Sequence, residues 1–202
     1  MKQNFDRMME REIAGIEPGK RPKLLLHSCC GPCSTSVTER LAKFFDFTVF
    51  FYNPNITEWE EYQKRLREQI RFLEAQYVDG REECFLRIEE GTYEPERFES
   101  FAAKMASEPE GGKRCSLCFA LRLRETGKKA KMEGYDYFTT TLTVSPMKDA
   151  QTINALGMKI GEELGINFLP SDFKKRAGYQ RSIEISKEYG LYRQHFCGCR
   201  YS

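Results

Sequence analysis

Seven of the eight cysteines in this 202-residue chain fall into three tight groups: Cys29, Cys30 and Cys33; Cys115 and Cys118; Cys197 and Cys199. Cys84 stands apart and, beside Phe85 and Leu86, reads as a small core residue. Thiolates so spaced are the soft donors that zinc, iron and iron-sulfur clusters take. Cys30, Gly31, Pro32 and Cys33 alone have the form of a thioredoxin-type dithiol. A dithiol exchanger, however, uses neither the extra Cys29 nor a second CxxC about eighty residues on. On a helix Cys115 and Cys118 project from one face, so the two CxxC pairs make a tetrathiolate site that suits zinc or a 4Fe-4S cluster. Cys29 is then a fifth thiol for which a closed structural zinc site has no use. The tail pair, Cys197 and Cys199, offers either an easily reduced disulfide or further ligands. Three readings stay open at this point: an iron-sulfur enzyme, a thiol-disulfide oxidoreductase, and a zinc-stabilised RNA-binding module without catalysis.

The elements that must position these groups are legible in the hydrophobic pattern. Lys23 to Ser28 reads as a buried strand and Ser34 to Phe45 as a helix, with the first cysteine group in the turn between them. Phe47 to Tyr52 is a second strand, stopped by Asn53, Pro54 and Asn55. Thr57 is expected to cap a helix of about twenty residues whose Trp59, Tyr62, Leu66, Ile70, Leu73 and Tyr77 form a core stripe. Further strands are expected at Cys84 to Ile88, Tyr137 to Thr143 and Asn167 to Leu169. Helices are expected at Glu94 to Met105, Cys115 to Met132, Lys148 to Leu164 and Gly178 to Tyr189. Alternating strands and helices predict a single α/β domain, residues 1–202, with a parallel sheet covered on both faces and a cysteine-containing tail at 190–202. In such folds ligands collect beyond the carboxyl ends of the strands, where the first cysteine group falls. The helix N-terminus there lowers thiol pKa and favours an anionic centre.

Composition narrows the setting. No segment has the length of apolar sequence a membrane span needs, and the opening run to Lys20 lacks the apolar stretch of a signal peptide, so a cytoplasmic protein is expected. There, clustered cysteines favour metal or catalysis over a disulfide framework. Net charge is only +2, but Gly111 to Lys131 holds seven basic residues and one acidic, and the chain beyond Phe173 seven and two. Both stretches adjoin cysteine groups and suit phosphates, although solvated helix faces explain them equally. Asn53 and Asn55 are candidates for a polar ligand, and Lys174, Lys175 and Arg181, with Tyr179 among them, for RNA phosphates and bases. His27 reads as a satisfied core histidine. Neither GxxxxGKS nor GxGxxG occurs, so no nucleotide cofactor is indicated.

Taken together, His27 to Ser34, Tyr52 to Ile56, Arg114, Cys115, Cys118, Phe119, Arg122 and Leu123, and Cys197 to Cys199 resemble the QueH family of epoxyqueuosine reductases. Ser145, Lys148, the basic segment from Lys174, and Glu184 to Ser186 extend the match over nearly the whole chain. The resemblance implies reduction of an epoxide in the modified base at the wobble position of a GUN-anticodon tRNA. It also implies a Rossmann-like fold related to the PP-loop ATPases of the HUP type, with the cysteine turn in place of the phosphate loop. A 4Fe-4S cluster with a second, mononuclear iron beside it is implied as well, fed by an external low-potential electron donor. Cys30, Cys33, Cys115 and Cys118 are then the expected cluster ligands. Cys29, Cys197 and Cys199 are the expected ligands or redox partners of the second iron, the tail pair as a redox-active disulfide. His195, Asp172, Tyr52 and Tyr192 are the candidate proton sources. Where many relatives carry a second glycine, this chain has Ala177, which bears on the loop conformation and not on the chemistry.

Overall fold

The computed structural model describes residues 2–78 and 84–202. Five parallel strands make one sheet: β1 (Lys23–Ser28), β2 (Asp46–Phe51), β3 (Phe85–Glu90), β4 (Tyr137–Thr140) and β5 (Asn167–Phe168), in the spatial order β3-β2-β1-β4-β5. The chain works outward from β1 to β3, then returns to lay β4 against the other side of β1, which is the order reversal that opens a ligand crevice in Rossmann-like sheets. The helices are α1 (Phe5–Ala14), α2 (Gly31–Leu41), α3 (Trp59–Leu73), α4 (Pro95–Ala102), α5 (Lys113–Met132), α6 (Ala150–Leu164) and α7 (Gly178–Glu188).

Alternation along the strands builds two cores. Leu24 and Leu26 of β1 with Phe47 and Val49 of β2 meet Met9 of α1, Val37 and Leu41 of α2, Phe72 and Leu73 of α3 and Ile185 of α7. Leu25, Phe50 and Phe138 face the other way, onto Phe119 and Leu123 of α5 and Ile153 and Ile160 of α6. The expected doubly covered parallel sheet is therefore present.

Several boundaries differ for local reasons. Helix α2 starts at Gly31, not Ser34, because Cys30 in extended backbone serves as its N-cap and Pro32 fits the first turn. Thr57 does not cap α3; Glu58 takes that position, while the Thr57 amide donates to Gly198 O of the tail at 3.3 Å. Trp59 is 50% exposed and stacks on Tyr62 instead of entering the core. Strand β4 stops at Thr140, where the backbone tightens into a 3-10 turn, Thr141–Val144. Helix α1 falls in the run that carried no expected element; Phe5 and Met9 anchor it, and buried Asp6 pairs with Arg40 at 2.8 Å and Arg176 at 3.0 Å. At Arg176 and Ala177 the backbone enters the left-handed region, φ 52° and 60°. Glycine relieves that cost at such positions.

Candidate metal centre and substrate cavity

The first cysteine group lies at the crevice between β1 and β4. Cys29 Sγ is 3.8 Å from Thr141 Oγ1 just beyond β4 and 3.9 Å from Cys30 Sγ. The Sγ atoms of Cys29, Cys30 and Cys33 all lie within 4.8 Å of one another, the only such metal-sized group of three or more donors among the described residues. Sulfurs around one tetrahedral ion with bonds of 2.3 Å stand about 3.8 Å apart, so this spacing is close to that of a metal thiolate set.

The turn is held from behind. Gln69 of α3 accepts from Ser28 Oγ at 2.6 Å and donates to Ser34 Oγ at 2.7 Å, so one buried amide grips both ends of the cysteine turn. Asn53 donates to Ser28 O at 2.9 Å, and buried His27 is satisfied by Thr140 Oγ1 at 2.8 Å and Tyr52 O at 3.1 Å. Since a carbonyl only accepts, His27 carries its proton on Nε2. Burial, with the Arg122 charge, pushes its pKa down to about 3, so it is neutral.

The remaining thiols meet at two adjoining cavities. The larger, about 440 Å³, is lined by Cys29, Cys33 and Cys197. The smaller, about 40 Å³, is lined by Cys115, Cys118, Cys197 and Cys199. Glu110, Arg122, Met147, Lys148 and Cys197 belong to both walls. Cys115 also packs against the apolar cluster that contains Cys29 and Cys30. Seven thiols thus surround one region of the crevice, while Cys84 lies in the opposite core, as its neighbours suggested.

Two cations set the electrostatics. Arg122 is buried, with its guanidinium over the Phe119 ring at 5.7 Å. Burial works against the Lys148 ammonium, but the neighbouring Cys29 thiolate, with Cys33 beside it, outweighs it and holds its pKa above the ordinary lysine value. Within the triad, hydrogen bonds from Cys30 and Cys33 bring the Cys29 pKa down, helped by Lys148 and Arg122, so the group carries a thiolate. In the tail, the Cys199 thiol lowers the Cys197 pKa to about 5, while the Cys197 hydrogen bond and burial raise that of Cys199. The donor set is all sulfur with positive charge beside it, which fits a soft metal centre.

The tail is docked as part of the wall. Buried Arg65 donates to Cys197 O at 3.1 Å and Phe196 O at 3.2 Å, and pairs with Glu61 at 2.7 Å. Buried Arg114 donates to Tyr201 O at 2.7 Å, and Asn55 to Cys197 O at 3.0 Å. Gly198, at φ +96°, lies so close to α3's approach that a Cβ would sit 2.7 Å from Ile56 Cγ1.

Asn53 and Asn55 therefore brace the cysteine turn and the tail, although Asn55 also lines the smaller cavity. Lys174 pairs with Asp172 at 2.7 Å and Arg181 with Glu39 at 2.6 Å; neither these nor exposed Lys175 lines either cavity. Of the candidate proton sources, His195 lines the larger cavity; Tyr52 and Tyr192 bond to Glu94 and Glu61 instead. Sequence reasoning missed Arg65, Gln69, Arg193 and Gln194. The first two left a signal: polar residues set into the apolar stripe of α3, at helical spacing from Tyr62, Leu66 and Leu73.

A model of the family described as epoxyqueuosine reductase QueH matches residues 24–202. The chain belongs to the QueH family. Similar proteins named epoxyqueuosine reductase QueH come from Staphylococcus epidermidis, 43% identical over 97% of this chain and 83% of the relative. Others are from Staphylococcus aureus, 42% identical over 97% and 82%, and Thermotoga maritima, 35% identical over 89% of each. The chain is an oxidoreductase of this family. No helix among the described residues is long and apolar enough to cross a membrane.

Proposed function

We propose that this chain reduces the epoxide of epoxyqueuosine at the wobble position of a GUN-anticodon tRNA to the alkene of queuosine, in the cytoplasm. The observation that carries the reading is the triad Cys29, Cys30 and Cys33, of which Cys29 and Cys33 line a cationic cavity large enough for a small ligand. Epoxide to alkene consumes two electrons and two protons and releases water. Bound at these thiols, a 4Fe-4S cluster with an adjacent iron supplies electrons singly, drawn from an external low-potential donor, and Lewis acidity for the epoxide oxygen.

Cys29, Cys30, Cys33, Cys115 and Cys118 hold the metals in this proposal, with Cys29, Cys197 and Cys199 nearest the second iron or cycling as a disulfide. Gln69 and Asn53 keep the cysteine turn in place, and Arg122 and Lys148 offset the thiolate charge. His195 is the cavity's candidate proton donor. Lys174, Lys175 and Arg181 lie on the loop and helix that also bring Tyr179 and Ser182 to the cavity, and we assign them to anticodon-loop phosphates.

Anaerobic purification tests the reading. Iron, acid-labile sulfide and a broad absorbance near about 400 nm, with conversion of epoxide-bearing tRNA by a low-potential reductant, are expected. A colourless zinc protein points to the RNA-binding module and a metal-free dithiol to an oxidoreductase of thioredoxin type; either overturns the proposal.

A further inference from the structure

Three large apolar side chains that a surface would ordinarily hide, Met147, Tyr179 and Phe196, are 72%, 37% and 46% exposed, and all three line the larger cavity. Scattered singly they would need no explanation, but a cluster around one opening marks a contact surface. The same cavity contains Arg122, Lys148 and Arg193, none of which has a carboxylate within ion-pairing distance among the described residues, where Glu110 is also the only acidic residue of the lining. Half-buried Arg40 and Arg97, by contrast, are each matched with acids. Flat apolar rims around unpaired cations suit a single-stranded nucleic acid, whose bases stack while its phosphates meet the charge.

Size determines how such a strand must sit. A cavity of about 440 Å³ admits one nucleoside-scale group and not its neighbours. The strand on either side must leave through the opening, so adjacent bases come to rest on the rim. Phe196 has one ring face occupied by Arg65, whose guanidinium carbon stands 5.0 Å from its centre, and its exposure lies elsewhere. Tyr179 lines the same cavity from the first turn of α7.

We infer that Tyr179 and Phe196 are stacking platforms for the nucleotides flanking the reacting base of the RNA, with Arg193 taking an intervening phosphate. This rests on the tRNA reading above. It makes the rim a determinant of which loop is bound, separate from the metal chemistry.

The experiment uses the metal-loaded protein and a stem-loop RNA of the anticodon arm, with 2-aminopurine in turn at each position flanking the target base. Wild-type binding should quench the fluorophore on stacking. Tyr179→Leu keeps apolar bulk but lacks a flat ring; it should weaken binding by about 5- to 150-fold, the range for one lost base stack, and abolish quenching at one flank. Its salt dependence should stay unchanged because no ionic contact is removed. Tyr179→Trp should restore both signals, and Phe196→Trp should preserve quenching at the other flank. Iron content equal to wild type shows that the variants are folded. If wild type fails to bind the stem-loop, the tRNA reading and the stacking rim both fall. If wild type binds and Tyr179→Leu binds equally, with quenching intact, only the rim falls. Unchanged RNA affinity with slower reduction by a protein electron donor would assign the rim to that donor and likewise overturn it.

Discussion

Arg65→Met tests whether the tail wall is held by one buried guanidinium. Arg65 is 2% exposed and makes two hydrogen bonds to tail carbonyls, at 3.1 and 3.2 Å. Bonds from a charged donor contribute about 1.5–3 kcal/mol each, so losing both removes at least about 3 kcal/mol from tail docking. Methionine fills much of the volume, and helix α3 keeps its apolar contacts through Tyr62 and Leu66. The tail should therefore open locally about 100-fold more often, since each 1.4 kcal/mol is a factor of ten. Hydrogen exchange of the Thr57 amide, which donates to Gly198 O across the docking contact, measures that opening directly. Metal-free protein under reducing conditions is the right sample, because only protein contacts then tie the tail down. Arg65→Lys, with a charge but no fork, should fall between the two. Protection within about threefold of wild type in Arg65→Met, against the ~100-fold expected, would refute the clamp and leave Arg114 and Asn55 as the anchors.

Other expectations follow from the same geometry. Gln69→Leu removes the amide that ties Ser28 to Ser34, leaving each hydroxyl only a carbonyl of its own turn, and should lower metal affinity about 10- to 100-fold by loosening the cysteine turn, measured by chelator competition. Ala177→Gly should raise thermal stability by up to about 1 kcal/mol, because the residue already occupies the left-handed region; a fall in melting temperature would contradict that. Asp149→Ala should cost about 1 kcal/mol at neutral pH through loss of the α6 cap. Hydrogen bonds from Thr152 hold the Asp149 carboxyl below its ordinary value of 3.8, so the cap's contribution is complete above that value and fades as pH falls through the lower folded pKa. The gap between wild type and Asp149→Ala should close accordingly in acid unfolding. Finally, tRNA affinity should fall steeply with salt, and Lys175→Gln should reduce the slope of log affinity against log salt by about 0.7–0.9 if that lysine meets a phosphate.

The parallel sheet and the position of the first cysteine turn were legible because both depend on local pattern: three leucines, a Gly-Pro turn, then an amphipathic run. What escaped was long-range. Helix α1 shows few apolar residues because it buries one narrow edge, Phe5 and Met9, with Asp6 satisfied by arginines from α2 and the loop before α7. Thr57 has the right chemistry for a cap, but the tail engages its amide and, through Arg200, its hydroxyl. Trp59 fits the helical stripe, yet it lies at the first position of α3, beyond the edge of the core. Asn53 and Asn55 looked like ligand-facing polar residues at a strand end. Their donors meet Ser28 and Cys197, partners no local window contains, and Asn55 also lines the smaller cavity.

The tail's place in the cavity wall also has a consequence in time. Cys29, Cys30 and Cys33 are brought together by β1 and α2 alone, whereas Cys197, common to both cavities, leaves the ribosome more than 160 residues later. At about 5–20 residues per second that is a lag of roughly ten to thirty seconds. During it the triad is exposed to whatever metal or oxidant the nascent chain meets, with its enclosing wall still unmade. Enclosure of the triad therefore waits for the tail to emerge, and Arg65, already placed in α3 for the carbonyls of Phe196 and Cys197, is the residue that closes the wall.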